Sequence, residues 1–320
     1  MAKLQSSEFV GVANRPATIC VNTVCLWFDT TNLKPMASYC SRSGAGVWSA
    51  GGAMIIGRGY LAGAGTQNEG LIIGGFTPVV SCTEEYNGTS WSVGGALIVV
   101  RRSGGSMGSQ NSALYAAGVT VANAVTCTEE YNGTSWSVGG SVIVGREYSM
   151  GTGTQNEGLS AGGFTTGLVS CTEEYNGTSW STGGALAIAR YGPAGAGTQN
   201  VGLAAGGRTV VSSTCVTCTE EYNGTSWSAG GAMIIARLVS AGAGTQNEGL
   251  SMGGFTNIAV SCTEEYNGTS WVAGGVLITA RHTLAGAGTQ GAGLVAGGTG
   301  NLSCTEEYLK SSYTIVDCIL

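Results

Sequence analysis

Charged residues are scarce in this sequence, at 10% of 320 residues. The 13 cations form no basic run, which argues against nucleic-acid binding through a basic face. No apolar run reaches the ~18 residues that a membrane-spanning helix needs, so we expect no membrane span. Residues 1–10 lack the apolar core of a secretory signal, so we also expect no signal peptide.

Groups that carry catalysis are equally scarce. The chain has one histidine, His282, and no repeated partner pattern singles it out. No Gly-x-Ser-x-Gly motif, P-loop or histidine-rich cluster occurs. The Cys215-x-x-Cys218 motif occurs once, whereas a structural zinc ion usually takes four ligands. We therefore expect a protein without enzymatic activity, metal or cofactor.

Glycine, by contrast, is abundant, with 56 residues, and the sequence is strongly repetitive. The decamer Cys-Thr-Glu-Glu-Tyr-Asn-Gly-Thr-Ser-Trp occurs five times without change and ends at Trp91, Trp136, Trp180, Trp227 and Trp271. A sixth copy starts at Cys304, and Trp48 begins the series without the decamer. Steps of 43, 45, 44, 47 and 44 residues between tryptophans indicate one structural unit copied six times.

Each unit contains four short segments with strand character. Small residues such as those at 63–68 fit an inner strand, because only small side chains fit where repeated units converge on an axis. An apolar strand ending at Gly74-Gly75 follows, then the strand 83–86, and then a strand that carries Trp91. Between the last two, Asn87-Gly88 predicts a type I′ turn with two positive φ angles. Four antiparallel strands make one propeller blade, so we predict an all-β, six-bladed β-propeller.

An apolar run into Gly-Gly, followed by a Tyr and then a Trp, resembles the kelch repeat, as does the Arg that opens the inner strand. The resemblance covers residues 46–313 and implies that Tyr and Trp side chains wedge between blades. The side chains given this role are Tyr86, Trp91, Tyr131, Trp136, Tyr175, Trp180, Tyr222, Trp227, Tyr266, Trp271 and Trp48. The unit at 109–119 has Gly118-Val119 in place of Gly-Gly, so we expect that blade to pack less tightly.

The chain offers seven candidates for six outer strands. Trp48 keeps Gly51-Gly52 and Arg58 at the usual offsets, whereas Tyr313 keeps neither the Trp nor the Gly-Gly. We predict that the Trp48 strand completes the last blade and so closes the ring without an exposed edge. Residues 314–320 then form a C-terminal tail or an extra strand.

Residues 1–45 lie outside the repeats. The apolar stretch at 24–29 followed by residues 33–35 predicts a β-hairpin. Its apolar side chains need a partner surface. The hairpin either covers one face of the propeller or acts as an assembly arm that docks on a neighbouring subunit.

Six of the eleven cysteines share one repeat position: Cys82, Cys127, Cys171, Cys218, Cys262 and Cys304. Equivalent positions on a ring lie too far apart to pair, which favours buried free thiols that act as small hydrophobic side chains over a disulfide framework. Cys20 with Cys25, and Cys215 with Cys218, are close enough in sequence for a local bond.

Arginine and glutamate also recur at fixed positions. The arginines are Arg58, Arg101, Arg146, Arg190, Arg237 and Arg281, and Glu-Glu pairs such as Glu84-Glu85 and Glu129-Glu130 occur once per unit. Side chains alternate along a strand, so one glutamate of each pair could meet an arginine of the same or the adjacent blade. We expect repeated structural ion pairs, with a central anion site made by the arginine ring as the other interpretation.

The loops between Gly-Gly and the next Cys differ among copies, as at 76–81, 119–126 and 208–217. Variable loops on a rigid repeat scaffold usually carry binding specificity, and the residues here are mostly apolar and uncharged, which suits protein contact more than sugar binding.

The near-identical copies also resemble kelch-like repeat proteins of phages of aquatic bacteria. That resemblance implies a non-enzymatic virion component, such as a tail, fibre or capsid-surface protein, assembled in the host cytoplasm. Its expected partners are other virion proteins, copies of itself or a host-surface receptor. A soluble glycan-binding propeller is the alternative.

Overall fold

The computed structural model describes residues 45–209 and 215–310 in full, with the backbone of four further strands near the termini. The chain divides into two compact units, Val47–Leu309 and a second unit of Met1–Gly46 with Lys310–Leu320. No helix among the described residues is long and apolar enough to cross a membrane.

The larger unit contains six sheets of four antiparallel strands each, which confirms the predicted six-bladed β-propeller. We number the blades 1 to 6 in chain order and the strands from the axis outward. The innermost strands are Ala62–Gly65, Gly105–Ser109, Met150–Gly153, Ala194–Gly197, Ala241–Gly244 and Ala285–Gly288. The second strands are Gly70–Ile73, Ser112–Ala116, Gly158–Ala161, Gly202–Ala205, Gly249–Met252 and Ala292–Ala296. The third strands are Thr83–Tyr86, Thr128–Tyr131, Thr172–Tyr175, Thr219–Tyr222, Thr263–Tyr266 and Thr305–Leu309. The outer strands are Trp91–Val93, Trp136–Val138, Trp180–Thr182, Trp227–Ala229, Trp271–Ala273 and Val47–Ala50.

The outer strand of blade 6 comes from the beginning of the propeller sequence. Val47–Ala50 pairs antiparallel with Thr305–Leu309, and Trp48 lies opposite Tyr308. The same Tyr–Trp pairing occurs in the other five blades, as between Tyr86 and Trp91. This confirms that the Trp48 strand closes the ring. The competing candidate, Tyr313, lies outside the described residues.

The inner strands approach one another closely because their axial position is almost always glycine. A Cβ atom on Gly63 of blade 1 would lie 2.6 Å from the carbonyl oxygen of Gly286 in blade 6. Blade 2 has Ser106 at this position, and its hydroxyl donates a hydrogen bond of 2.7 Å to the Gly63 carbonyl. Small residues therefore set the closest approach of the blades at the axis.

The hydrophobic core lies between blades rather than in one central cluster. Between blades 6 and 1, for example, buried Ile72, Tyr86 and Trp91 pack with Leu294 and Ala296. Each interface repeats this arrangement with its own side chains. A blade therefore buries its apolar faces only when both neighbours are present, which makes ring closure a condition for stability.

Two local predictions are wrong. Asn87 does not take a positive φ, and among the two turn residues only Gly88 does, at 88°. The Asn87 Oδ1 atom instead accepts hydrogen bonds from the backbone N–H groups of Thr89 and Ser90, at 3.0 and 2.9 Å. The loop is therefore a four-residue turn stabilised by the asparagine side chain, since a side-chain acceptor replaces the second left-handed residue.

The second correction concerns blade 2. The Gly-Gly position is filled by Ala117-Gly118, with φ angles of 57° and 99°, and not by Gly118-Val119. Ala117 is fully buried, as are Leu114, Tyr115 and Ala116 in the strand before it. The blade therefore does not pack more loosely, because alanine is small enough to occupy the left-handed position that the fold requires.

The second unit contains one antiparallel sheet in the strand order Cys20–Val21, Val24–Asp29, Lys34–Tyr39, Asp317–Ile319. Val24 pairs with Tyr39 and Asp29 with Lys34, at the place of the expected hairpin. The final strand lies in the segment that was expected to be a tail or an extra strand. The side chains of this sheet lie outside the described residues, and its function as an assembly arm stays a prediction.

Replacing Trp48 tests the closure of the ring. Trp48→Ala removes a buried ring that packs on Tyr308 with 4.9 Å between ring centroids. We expect the free energy of unfolding to fall by about 3–5 kcal/mol, as for other buried tryptophans. The measurement is urea unfolding followed by tryptophan fluorescence.

Val47→Ala is the matched control, because Val47 precedes Trp48 on the same strand but is 65% exposed. Its effect should stay within about 0.5 kcal/mol. Equal effects of the two substitutions would contradict a closing role for Trp48.

Candidate functional site

Each blade contains one buried ion pair between the arginine that opens it and the first glutamate of the repeated pair. The pairs are Arg58–Glu84, Arg101–Glu129, Arg146–Glu173, Arg190–Glu220, Arg237–Glu264 and Arg281–Glu306. The carboxylate also accepts two backbone N–H groups from the connection that enters the blade, as Glu84 does from Ile55 and Ile56 at 2.7 and 3.3 Å. Because every guanidinium is buried against its own glutamate, the arginines are not presented to a central anion.

The second glutamate of each pair has a different partner. The Tyr131 hydroxyl of blade 2 donates to Glu85 of blade 1, and the Tyr175 hydroxyl of blade 3 donates to Glu130 of blade 2, each at 2.5 Å. The same contact joins all six consecutive pairs of blades. Glu85 and Glu130 were grouped with the ion pairs in the sequence analysis. The structure places them at the blade interface, because consecutive residues of a strand point in opposite directions.

Two further hydrogen bonds repeat around the ring. The indole N–H of each repeat tryptophan donates to the threonine that opens the third strand of the preceding blade, as from Trp136 to Thr83 at 3.0 Å. The amide of the repeated glutamine donates to two backbone carbonyls of the preceding blade, as from Gln110 to Gly70 and Tyr86 at 3.0 and 2.7 Å. The repeated polar residues are therefore occupied in joining blades.

The cysteines of the described part of the chain are free thiols. They include all six repeat cysteines and Cys215, so Cys215 and Cys218 do not form the local bond left open above. Burial raises the pKa of several of these thiols, for example at Cys82 and Cys171. A raised pKa disfavours the reactive thiolate. The other local pair, Cys20 and Cys25, has side chains outside the described residues.

The loops on one face of the propeller differ most among the repeat units, both in length and in sequence. We call this the loop face. It is formed by residues 51–61 and 74–82 of blade 1 and their equivalents, whereas the opposite face is formed by the turns 66–69 and 87–90 and their equivalents. Along antiparallel strands, connections alternate between the two ends of a sheet, which separates the two faces.

At the centre of the loop face, six equivalent residues surround the axis. They are Tyr60, Ser103, Tyr148, Gly192, Val239 and Thr283, and all have φ between 47° and 66°. Each N–H donates to the carbonyl of the residue in the preceding blade, at 2.7–3.1 Å, so that the six bonds form a closed ring. A β-branched residue in this left-handed region is strained, at a cost of about 1–3 kcal/mol. The hydrogen-bond ring holds Val239 and Thr283 in place against that strain.

Next to this ring, each blade pairs one residue that follows the arginine with one that follows Gly-Gly. The pairs are Gly59 with Phe76, Arg102 with Val119, Glu147 with Phe164, Tyr191 with Arg208, Leu238 with Phe255, and His282 with Thr299. No two blades carry the same pair. The backbone pairing is the same in all six blades, so the blades differ here only in the side chains that they carry.

Aromatic rings are concentrated in this region. Tyr148 lies 6.3 Å from Tyr60 and 5.7 Å from Tyr191, and Phe164 lies 6.1 Å from Tyr191, between ring centroids. In blades 1 and 2 the guanidinium of Arg102 stacks over the rings of Tyr60 and Phe76, at 4.9 and 5.3 Å. The loop face is therefore aromatic and charged close to the axis, and not only apolar as the loop composition had indicated.

Three cavities are formed by described residues of this face. A cavity of about 100 Å³ lies on the axis and is lined by all six blades, including Tyr60 and Tyr148. A cavity of about 340 Å³ lies between blades 3 and 4, where Glu147, Tyr148, Phe164, Tyr191 and Arg208 line it. A third, of about 250 Å³, extends from Arg208 toward Phe255 of blade 5. The second falls within the range of roughly 300–1,000 Å³ that is usual for small-molecule sites.

His282 lies at the edge of blade 6. Its ring is 4.8 Å from Phe255, and its Nδ1 atom is 3.1 Å from the Thr299 hydroxyl. Burial lowers the pKa of this histidine, which favours the neutral form. Among the described residues no cluster of His, Cys, Asp and Glu has the geometry to hold a metal ion.

Comparison with protein-family models found no model that matches this chain, and comparison with curated proteins found no match. The fold and the geometry define the class: a six-bladed β-propeller with an invariant scaffold and one variable face.

Sequence reasoning missed Tyr60, Glu147, Tyr148 and Tyr191 as candidate binding residues. It examined the loops after Gly-Gly but not the two residues after each repeat arginine. No two copies have the same two residues there, which was a usable signal. What alignment of the copies could not show is that the two variable segments pair with each other across each blade.

Removing one arginine tests the buried ion pairs. Arg146→Met leaves the Glu173 carboxylate buried without its counter-charge, and we expect a loss of about 3–5 kcal/mol in the free energy of unfolding. The double variant Arg146→Met/Glu173→Gln should recover part of this loss, because a neutral amide oxygen still accepts the linker N–H groups. Chemical unfolding of the single and double variants measures both.

Arg102→Met is the control on the loop face. Arg102 is half-buried, and its stacking on Tyr60 and Phe76 is worth about 0.5–2 kcal/mol. If Arg146→Met destabilised the protein no more than Arg102→Met, the scaffold would not depend on the ion pair.

Alkaline pH tests the tyrosine–glutamate contacts. Burial, and then the hydrogen bond to a glutamate, raise the pKa of Tyr131, Tyr175, Tyr222 and Tyr266 to about 12. An unfolded tyrosine has a pKa of about 10. The stabilisation is therefore fully present below pH ~10 and is lost as pH rises from ~10 to ~12. Urea midpoints measured across this range should fall.

Tyr131→Phe removes one of these ionisable hydroxyls and should make the fall shallower, although it lowers stability at neutral pH. A urea midpoint that stayed constant up to pH ~12 would contradict the assignment. Ultraviolet absorbance of the phenolate provides an independent record of the titration.

Proposed function

We propose that this protein is a non-enzymatic structural and binding protein that acts through the loop face of its propeller. The observation that carries the proposal is the distribution of difference among the six copies. Residues that join blades are repeated almost without change. Beside the axial ring, the residue after the arginine differs in every blade, and its partner is phenylalanine in three blades and a different residue in each of the others. A scaffold that is uniform except on one surface suits recognition at that surface.

The repeated polar residues support a binding function over catalysis. The arginines, the paired glutamates and the repeat tyrosines and tryptophans are engaged in contacts within and between blades. His282 is paired with Thr299, and its lowered pKa is accounted for by burial. The side chains that could act as acids, bases or nucleophiles are thus engaged in structural contacts.

The kelch-like repeat and its resemblance to phage repeat proteins support a more specific proposal, that of a virion component. In this proposal the protein contacts other virion proteins, copies of itself or a receptor on the host surface. A tail, fibre or capsid-surface location fits a compact disc with one recognition face.

Exposed aliphatic side chains on the loop face support protein contact. Ile98, Ile143 and Ile278 follow a buried residue in the blade-entering connection and are 54–63% exposed. Their backbone N–H groups bind the carboxylates of Glu129, Glu173 and Glu306, at 2.6–2.7 Å. These apolar side chains are therefore held on a rigid backbone, which reduces the entropy lost when a partner binds.

A carbohydrate ligand is the second candidate, because aromatic and charged side chains line the cavities between blades 3, 4 and 5. Both candidates use the loop face. They differ in which part of it makes contact.

Sedimentation velocity and negative-stain electron microscopy over a concentration series test the assembly proposal. We expect rings, filaments or larger particles at high concentration, and we expect the double variant Ile98→Gln/Ile143→Gln to shift them toward single discs. Val201→Gln is the matched control, because Val201 is also an exposed aliphatic residue but lies on the opposite face. Single discs at every concentration, with no response to either variant, would contradict assembly through the loop face.

A further inference from the structure

The three cavities of the loop face lie next to one another and share lining residues. Tyr148 lines both the axial cavity and the cavity between blades 3 and 4, and Arg208 lines both that cavity and the one near Phe255. Two shared side chains thus link the axis to blade 5. We call the combined depression the blade 3–5 groove. An elongated groove of this kind fits a chain-like ligand better than a single compact molecule.

The walls of the groove suit the apolar faces of sugar rings. Tyr148, Phe164 and Tyr191 line its widest part, and all three are half-buried. Their rings meet at angles of 57° and 60°, so they are inclined and not stacked on one another. Aromatic faces carry partial negative charge and attract the weakly positive C–H groups of a sugar.

The polar groups of the groove come as one acid and one base. The Glu147 carboxylate has no hydrogen-bond partner among the described residues, and burial raises its pKa while Arg102 opposes that shift. Arg208 bonds to the Tyr191 hydroxyl at 3.4 Å, and within the described part of the chain no carboxylate pairs with it. The Glu147 carboxylate therefore offers an acceptor and the Arg208 guanidinium offers donors in the same cavity, and their formal charges cancel.

A buried hydroxyl adds a further polar group at the axial end. Ser149 lines the axial cavity and is 8% exposed, yet its Oγ atom has no hydrogen-bond partner. Buried polar atoms in folded proteins are nearly always bonded to protein, water or ligand. The Ser149 hydroxyl is therefore available to bond to water or to a ligand at this end.

We propose that the blade 3–5 groove binds a neutral oligosaccharide, with Phe164 and Tyr191 against sugar faces and Glu147 and Arg208 bonded to sugar hydroxyls. A hydroxyl both donates and accepts, so one ligand satisfies both charged groups. A sugar acid would gain from Arg208 but would meet the Glu147 carboxylate. The inference deepens the carbohydrate candidate above and rests on the loop face being the binding face.

Blade 1 shows that the groove is not a property of the repeat. Phe76 occupies the position of Phe164, but the guanidinium of Arg102 stacks on its ring and the opposing residue is Gly59. The equivalent place in blade 1 thus lacks the carboxylate. Its second aromatic ring is Tyr60, 6.0 Å from Phe76, and Arg102 stands where blade 4 has Tyr191. This makes Phe76 a matched control for Phe164.

Isothermal calorimetry with the full chain tests the proposal. The probes are maltohexaose, cellohexaose and chitohexaose as neutral oligosaccharides, and oligogalacturonate as an acidic one. We expect at least one neutral probe to bind, with Phe164→Ala weakening its affinity at least about tenfold. Glu147→Gln, which preserves shape, should weaken it at least about threefold, and Phe76→Ala should leave it unchanged. Coincident thermal unfolding curves for wild type and variants establish that the variants are folded.

Absence of binding by all three neutral probes overturns the proposal, as does tighter binding of oligogalacturonate. Equal weakening by Phe164→Ala and Phe76→Ala also overturns it, because the ligand would then not lie in this groove. The result is independent of assembly: sedimentation of Ile98→Gln/Ile143→Gln reports on protein contact, while calorimetry of Phe164→Ala reports on the groove.

Discussion

The alternation of side chains along a four-residue strand organises this propeller. In the third strand of each blade, two consecutive glutamates point in opposite directions. The first binds the arginine of its own blade and the linker that enters it, and the second accepts the tyrosine hydroxyl of the next blade. One dipeptide thus fixes both the interior of a blade and its contact with a neighbour. A shift by one residue would exchange the two carboxylates and break both sets of contacts.

Burying a charged side chain costs free energy. The buried ion pairs of this propeller matter because of the backbone groups that they hold in place. An ion pair taken out of water is on average no more stabilising than apolar residues of the same size. The Glu84 carboxylate, however, bonds to two linker N–H groups besides Arg58, and these groups have no strand partner of their own. An apolar replacement would leave them unsatisfied in a part-buried site. The ion pair therefore fixes the path of the chain from the outer strand of one blade to the inner strand of the next.

Sequence periodicity predicted the six blades, the order of strands and the closing strand, since these follow from invariant residues at fixed spacing. It erred at Asn87, where a side-chain hydrogen bond replaced the expected left-handed backbone, and at Ala117, where a small residue adopted the glycine conformation. It also missed the aromatic groove. Residues such as Glu147 and Arg208 belong to different blades, and only the three-dimensional ring brings them to one cavity.

The axial ring explains how residues at the centre of the loop face can vary without loss of the fold. Its six hydrogen bonds join backbone N–H and C=O groups only, so the side chains at these positions contribute nothing to the ring itself. Tyrosine, serine, glycine, valine and threonine all occupy it, and even β-branched residues accept the left-handed conformation. Main-chain bonds thus hold the centre of the face, whichever side chain stands at each position. The ring depends on main-chain atoms, so the side chains of this face can change while the scaffold stays constant.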